Sequence, residues 1–524
     1  MSNYKIFVFL ICIIFISESK SFANNLIKSN EIKEQSISNK LKKDIIDEII
    51  YNENIFKSIE LIKTTNINTI NKKGNNALLE LIESNSRYSS SITNKDMFII
   101  EMLISKGIDV NKVNKNKSIA IIESTKNNDT NLSELLINNG ADITFKDKYG
   151  NTALDYAVSN GNFKIAKRII NIINTIESKE INNLFIKSLY SLNYELIKFF
   201  LEKGAEINIK DKRVNSSLFI IIEHFDYNSN NKKKNEENKK KIIDLLLKYG
   251  ADINEKDKMN SNILMIASIY YSRDFVNFLL EKGMPINHKD SNLNTALNYA
   301  SRFDSDVLKL LIEKGANVNE PNLEGNTPLI TASKNSYEGH FKNMAILIRN
   351  GAEINFKNKE GKTALLVAIE SGGCGESTCE LFIKNGADLN TEDNFGNTVL
   401  STLIKLGYSS EDTIYYIDLF LKNGADINLK NKYGESALII SSTIGYTELT
   451  EYIIKKGANI NEKDIYSNSS LIKAVKSKHK NIVELLLRNG IDTKIKNIAG
   501  KTALDYSKEL HLKDIEALIK RYKD

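Results

Sequence analysis

The apolar positions of this chain fall into short bursts separated by polar turns. The bursts alternate between two kinds. One is a short helix that is apolar along its length. It follows Thr327-Pro328, an N-cap with a proline at the first helical position, where a missing N–H costs nothing. The other is amphipathic. Between Asn481 and Asn489, the residues Ile482, Val483, Leu486 and Leu487 recur at helical spacing on one face. Gly490 ends that helix, since a left-handed C-terminal cap favours glycine. From there to Gly500 the chain is polar and turn-rich, which suits an extended hairpin finger.

This unit recurs. Asn139-Gly140-Ala141-Asp142-Ile143 returns as Tyr249 to Ile253, Asn385 to Leu389 and Asn423 to Ile427. The glycines of the phrase fall at 250, 283, 315, 351, 386, 424, 457 and 490, with spacings of 33, 32, 36, 35, 38, 33 and 33. About ten residues later comes a second phrase, such as Gly150-Asn151-Thr152-Ala153-Leu154 or Gly361-Lys362-Thr363-Ala364-Leu365. Two short helices cannot bury their apolar faces alone, so successive copies are expected to stack.

In its period and in both phrases the chain resembles the ankyrin repeat family, and more narrowly secreted or periplasmic ankyrin proteins of bacteria. The resemblance implies an all-α fold, a curved solenoid of stacked helix-turn-helix units with hairpin fingers. Thirteen repeats are expected over residues 67–524, after degenerate capping helices at 40–66. The interval between Gly140 and Gly204 is 64 residues and holds two repeats, whose junction near Asn174 has lost its glycine. Insertions are expected near 84–95, 226–241 and 372–377; the basic one, with Lys232-Lys233-Lys234 and Lys239-Lys240-Lys241, reads as a solvated loop interrupted by Glu236 and Glu237, with contact to phosphate or an acidic partner as the alternative. The family's Gly-x-Thr-Pro-Leu-His phrase usually has Ala for Pro here. Asp155, Asn298, Leu366 and Ile439 stand where the histidine would. The Thr–His hydrogen bonding of the family is therefore replaced or lost.

The N-terminus has the layout of a secretory signal. Lys5 supplies the positive charge, Ile6 to Ile16 is an apolar run too short to span a bilayer, and Ser21-Phe22-Ala23 offers a cleavage site. Residues 1–23 are read as a signal peptide and 24–39 as a short leader, with an uncleaved membrane anchor as the alternative. Net charge is +6 over 524 residues with no terminal block of one sign, so no nucleic-acid arm is expected. Heavy use of Ile, Asn and Lys reads as genomic background.

Chemistry is sparse. Gly361-Lys362-Thr363 and Gly500-Lys501-Thr502 lack the upstream glycine of a phosphate loop, since Phe356 and Ile495 stand there. The five histidines have no metal-ligand spacing. No cofactor, metal or catalytic residue is expected, and the chain is read as a monomer and not an enzyme. Past the signal only Cys374 and Cys379 remain, five residues apart. An exported protein could bond them; alternatively Cys379, aligned with the apolar Val483, is a buried thiol.

By resemblance, partners bind at the finger tips and the adjoining helix surface. The tip residue, just before the finger glycine or its equivalent, reads Tyr149, Arg213 and Met259, and later Phe395, Tyr433 and Tyr466 on three successive repeats. Aromatics are enriched at interface hot spots; the competing reading packs each ring on the neighbouring finger. The sequence thus points to a protein-binding scaffold outside the cytoplasm, with a structural spacer or a regulatory subunit of an exported enzyme as the alternative.

Overall fold

The computed structural model describes residues 45–51, 55–87, 92–213, 215–223, 231–334, 338–372, 374–407 and 410–522. The expected signal peptide and leader lie outside these. Among the described residues there are 28 helices and no strand, with one isolated antiparallel bridge between Lys463 and Ser469. The chain divides into two compact units, Met1–Leu196 and Ile197–Asp524.

In the second unit the two kinds of apolar burst have a simple cause. Helix Ala437–Ile444 packs against Val399–Leu406 before it, Ser470–Lys476 after it and its own partner Thr447–Lys455. Contacted on three sides, it buries Ala437 through Ser442 without a break. The partner of Ser470–Lys476, helix Lys480–Arg488, buries only Ile482, Val483, Leu486 and Leu487 and gives its other face to solvent. Each such aliphatic side chain contributes about 2 kcal/mol of burial. In the first unit the same logic places Ala153–Ser159 between Ala120–Lys126 and Ser178–Tyr190. The stacking continues even though only four residues, with Asn174 at a φ of 63°, separate Phe163–Ile173 from Ser178. A repeat can lose its finger and keep its place in the stack.

The missing histidines are answered in two ways. Thr152 and Asp155 form a capping box, with the Thr152 N–H donating to Asp155 at 2.7 Å. Thr295 and Asn298 do the same at 2.9 Å. Where Leu366 stands, only the forward bond from its N–H to Thr363 is left, at 3.4 Å. At Ile439, Ser436 makes no side-chain cap bond. Asp and Asn carry an oxygen that reaches back to the N-cap amide, whereas Leu and Ile do not.

The insertion read as a solvated basic loop is corrected in part. Residues 224–230 lie outside the described set, but Lys232–Lys248 is one helix of 17 residues. Glu236 and Lys239 within it are buried. The Lys239 ammonium donates to the Tyr271 hydroxyl at 2.6 Å, and Glu236 accepts from the Ser272 N–H at 3.0 Å. The insertion thus lengthens a second helix. Residues three apart on it share a face, and that face docks on the next hairpin.

Candidate functional site

Each finger turns on one side chain. At twelve positions from Asn71 to Asn497, an Asn or Asp oxygen accepts from the backbone N–H groups two and four residues on. Asn431 accepts from Tyr433 at 2.9 Å and from Glu435 at 3.0 Å. Only an oxygen is needed, so Asp and Asn interchange. The residue two on is the tip. Its amide is fixed by the turn, which leaves its side chain free to vary.

A second asparagine joins neighbouring repeats. Asn390 donates to the Gly424 carbonyl at 3.0 Å and accepts from the Asp426 N–H at 2.8 Å. Asn355 does the same to Gly386 and Asp388, and in the first unit Asn111 to Gly140 and Asp142. A carboxamide both donates and accepts, which neither Asp nor Lys can do. The abundance of asparagine is therefore structural at these positions, not background.

A backbone ladder runs along the fingers of the second unit. The Met259 carbonyl accepts from Ser291 at 2.8 Å, Phe395 from Lys432 at 2.9 Å, Tyr433 from Ile465 at 3.0 Å and Tyr466 from Ile498 at 3.0 Å. The tips between them, Asn292, Glu324 and Glu360, accept in the same way, so the ladder is unbroken from Met259 to Ile498. Among the described residues no such bond reaches the Arg213 or Tyr149 carbonyl.

The side chains of Tyr149, Met259, Phe395, Tyr433 and Tyr466 are 48–71% exposed, and Arg213 is exposed as well. Phe395, Tyr433 and Tyr466 stand on consecutive laddered fingers, and among the described residues none of the three stacks on another ring. Arg213 and Met259 stand on the two fingers at the other end of the same series. Tyr149 belongs to the first unit, where Lys148 lies over its ring at 4.9 Å. Two further apolar residues join the aromatic row: Ile465 and Ile498, 54% and 71% exposed, each one position before a tip. That position is Lys at many fingers, such as Lys148, Lys212, Lys258 and Lys432. Aligning the repeats on this column would have exposed the exceptions.

Two polar clefts lie between fingers and helices. The first unit has one of about 330 Å³ bounded by Glu123, Lys126, Asp147, Lys148 and Tyr149. Its charges are spoken for: Lys126 pairs with Glu123 at 3.0 Å and with Asp147 at 3.8 Å. Burial alone would raise the Asp147 carboxyl. The Tyr156 hydroxyl, the N–H groups of Asn151 and Tyr149 and the Lys126 charge outweigh it and hold that carboxyl below the usual range. Burial, and then the Asp147 hydrogen bond, push Tyr156 up to about 12. The second unit has a cleft of about 370 Å³ bounded by Lys210, Arg213, Glu223, Lys256, Asp257 and Lys258. Here burial, then the nearby Asp211 charge, raise the Glu223 carboxyl.

Cys374 and Cys379 lie with Cα atoms 5.5 Å apart and their sulfurs joined; Cys379 is buried. Beside them is a cavity of about 240 Å³ walled by Leu403 and Phe420. Among the described residues no three His, Cys, Asp or Glu side chains converge on a metal position. No helix there is long and apolar enough to cross a membrane.

Paired helices stacked through their first members, with laddered turns projecting between them, define a helical repeat scaffold. A family model for ankyrin repeats in three copies matches residues 88–182, 234–322, 292–357, 319–393 and 406–497. The chain belongs to the ankyrin repeat family. Over 114 residues, 21% of this chain, it is 35% identical to the ankyrin repeat protein L91 of Acanthamoeba polyphaga mimivirus, and it spans 17% of that protein's length. Over 135 residues, 22% of this chain, it is 31% identical to the ankyrin repeat protein FPV230 of Fowlpox virus (strain NVSL), spanning 71% of that protein. Ankyrin repeats generally mediate protein–protein interaction, and proteins built of them are typically non-enzymatic scaffolds.

Proposed function

We propose that this protein is a scaffold whose partner docks on the finger face of the second unit, with Phe395, Tyr433 and Tyr466 as anchors and Ile465 and Ile498 beside them. The observation that carries this reading is the combination of rigid backbone and exposed ring. The tips are fixed by an Asx turn on one side and the ladder on the other, so little order is left to impose when a partner binds. Truncating a hot-spot ring typically costs about 2 kcal/mol of binding or more, whereas a surface change usually alters stability by about 0.5 kcal/mol or less. The test is quantitative capture from the source organism's extract by the wild type and by the Tyr433→Ala/Tyr466→Ala variant. A partner held by the first and lost by the second, at equal melting temperature, supports the reading. Identical retention, or early melting of the variant, sinks it.

The same proposal places the protein outside the cytoplasm after cleavage behind Ala23. Its support is the short apolar run of residues 6–16 and a cysteine pair suited to an oxidising compartment. N-terminal sequencing and mass measurement of native protein test both together. The expected chain begins at Asn24 and gains about two hydrogens on reduction, as one disulfide requires. An intact Met1, or two free thiols, would overturn it.

A further inference from the structure

The two clefts differ in how their cations are used. In the first unit Lys126 is paired and Lys148 sits over a ring. In the second, among the described residues only Lys210 has an ion-pair partner, Glu255 at 3.8 Å. Arg213, Lys256 and Lys258 are exposed and, among the described residues, have no ion-pair partner within 4 Å. The acids beside them are already engaged. Asp257 accepts from the Met259 and Ser261 N–H groups, and Glu223 from Asn215 at 2.7 Å. Lys212 adds a further exposed charge on the same finger. Four cations, Lys210, Arg213, Lys256 and Lys258, thus line a concavity with two carboxylates, Glu223 and Asp257, a surplus of positive charge.

We propose that the cleft between the fingers headed by Arg213 and Met259 binds an acidic peptide segment of a partner protein. The proposal rests on the finger face being the partner surface. Two or three carboxylates spaced along an extended segment would meet Arg213, Lys256 and Lys258 in turn, and the guanidinium can take a carboxylate bidentately. A nucleic acid fits worse. A single strand carries about one charge per 3.4 Å and a duplex about one per 1.7 Å of its axis, and that line of charge would press against Asp211, Glu223 and Asp257. Among the described residues the cleft lining has no aromatic ring on which a base could stack.

The probe is a fluorescent peptide of about ten residues with alternating Glu and Ser, titrated against the full mature chain at low salt and read by anisotropy. Its Gln counterpart and a single-stranded oligonucleotide of similar length serve as comparators. The Glu peptide is expected to bind and the Gln peptide not to. The Arg213→Glu/Lys258→Glu variant should lose at least about tenfold in affinity. Arg213→Gln/Lys258→Gln, which places no carboxylate beside Glu223, should lose less in the same direction. Lys232→Glu/Lys233→Glu changes the net charge equally at two exposed positions outside the cleft lining and should leave affinity unchanged. An equal loss from that control, no loss from the cleft variants, or tighter binding of the oligonucleotide that depends on Arg213 each overturns the proposal. Tyr433→Ala/Tyr466→Ala should leave the peptide affinity untouched. Failure of the aromatic docking site and failure of the acidic site are thereby read separately.

Discussion

The finger headed by Arg213 and the finger headed by Tyr433 are made by the same turn and held in different ways. Asp211 accepts from Arg213 and Asn215 at 2.8 and 2.7 Å; Asn431 accepts from Tyr433 and Glu435 at 2.9 and 3.0 Å. Yet the Tyr433 carbonyl is tied to the next finger through Ile465, and among the described residues no finger amide donates to the Arg213 carbonyl. The difference separates two decisions that a repeat makes. One side-chain oxygen sets the local turn, whatever the tip residue is. The fit between adjacent fingers sets how firmly the tip is held. Apolar anchors stand where the ladder is closed, and unpaired cations stand where it begins.

The largest way to break this contrast is to open the closed ladder. Gly434 has a φ of +71°, and a Cβ there would lie 2.7 Å from the Ile465 nitrogen, the donor of the ladder bond. Gly434→Ala therefore combines backbone strain with a clash against main chain that cannot swing away. A loss on the order of 3 kcal/mol is expected. Gly500 has nearly the same φ, +72°, but nothing within 4 Å of its would-be Cβ. Gly500→Ala should cost only about 1 kcal/mol of strain. Ser467, in the same turn position with a φ of 57°, shows that an L-residue can adopt this conformation in a finger. Denaturant midpoints of the two variants decide the matter. Equal losses would mean that φ, and not inter-finger fit, governs these fingers.

Much of this was legible from residues alone. The period, the two helix types and the finger turn follow from apolar spacing and glycine placement, because each is a local property. The tips were legible for the same reason, since each sits just before the turn glycine or the residue that replaces it, Asn260 after Met259 and Ser467 after Tyr466. Two things were not. Asn355, Asn390 and Asn428 look like any polar loop residue in one repeat, and their partners lie about thirty residues away. The column is visible only when repeats are superposed. Likewise Lys239 reads as one of two triplets of lysine, 232–234 and 239–241. What buries it is Tyr271 of the following hairpin, a contact that spans 32 residues. The unpaired state of Lys256 and Lys258 was hidden too. Composition counts charges but cannot say which of them find partners.

A finer way to sharpen the contrast is to time the amides of the ladder itself. The N–H groups of Ser291, Lys432, Ile465 and Ile498 each donate to the preceding tip. The equivalent N–H of Lys258 faces the Arg213 carbonyl's finger and donates to no partner among the described residues. A net hydrogen bond is worth about 1 kcal/mol, and local openings are what exchange reports. Corrected for intrinsic rates, Lys258 should therefore exchange about five- to tenfold faster than Ile465 or Lys432. Saturation with the acidic peptide should slow Lys258 and leave Ile465 unchanged, because only the first lies beside the basic cleft. Native-state exchange read by NMR or by mass spectrometry at residue resolution checks both. If Lys258 is already as slow as Ile465 in the free protein, the Arg213 finger is held by contacts other than the ladder, and the two ends of the series do not differ in rigidity.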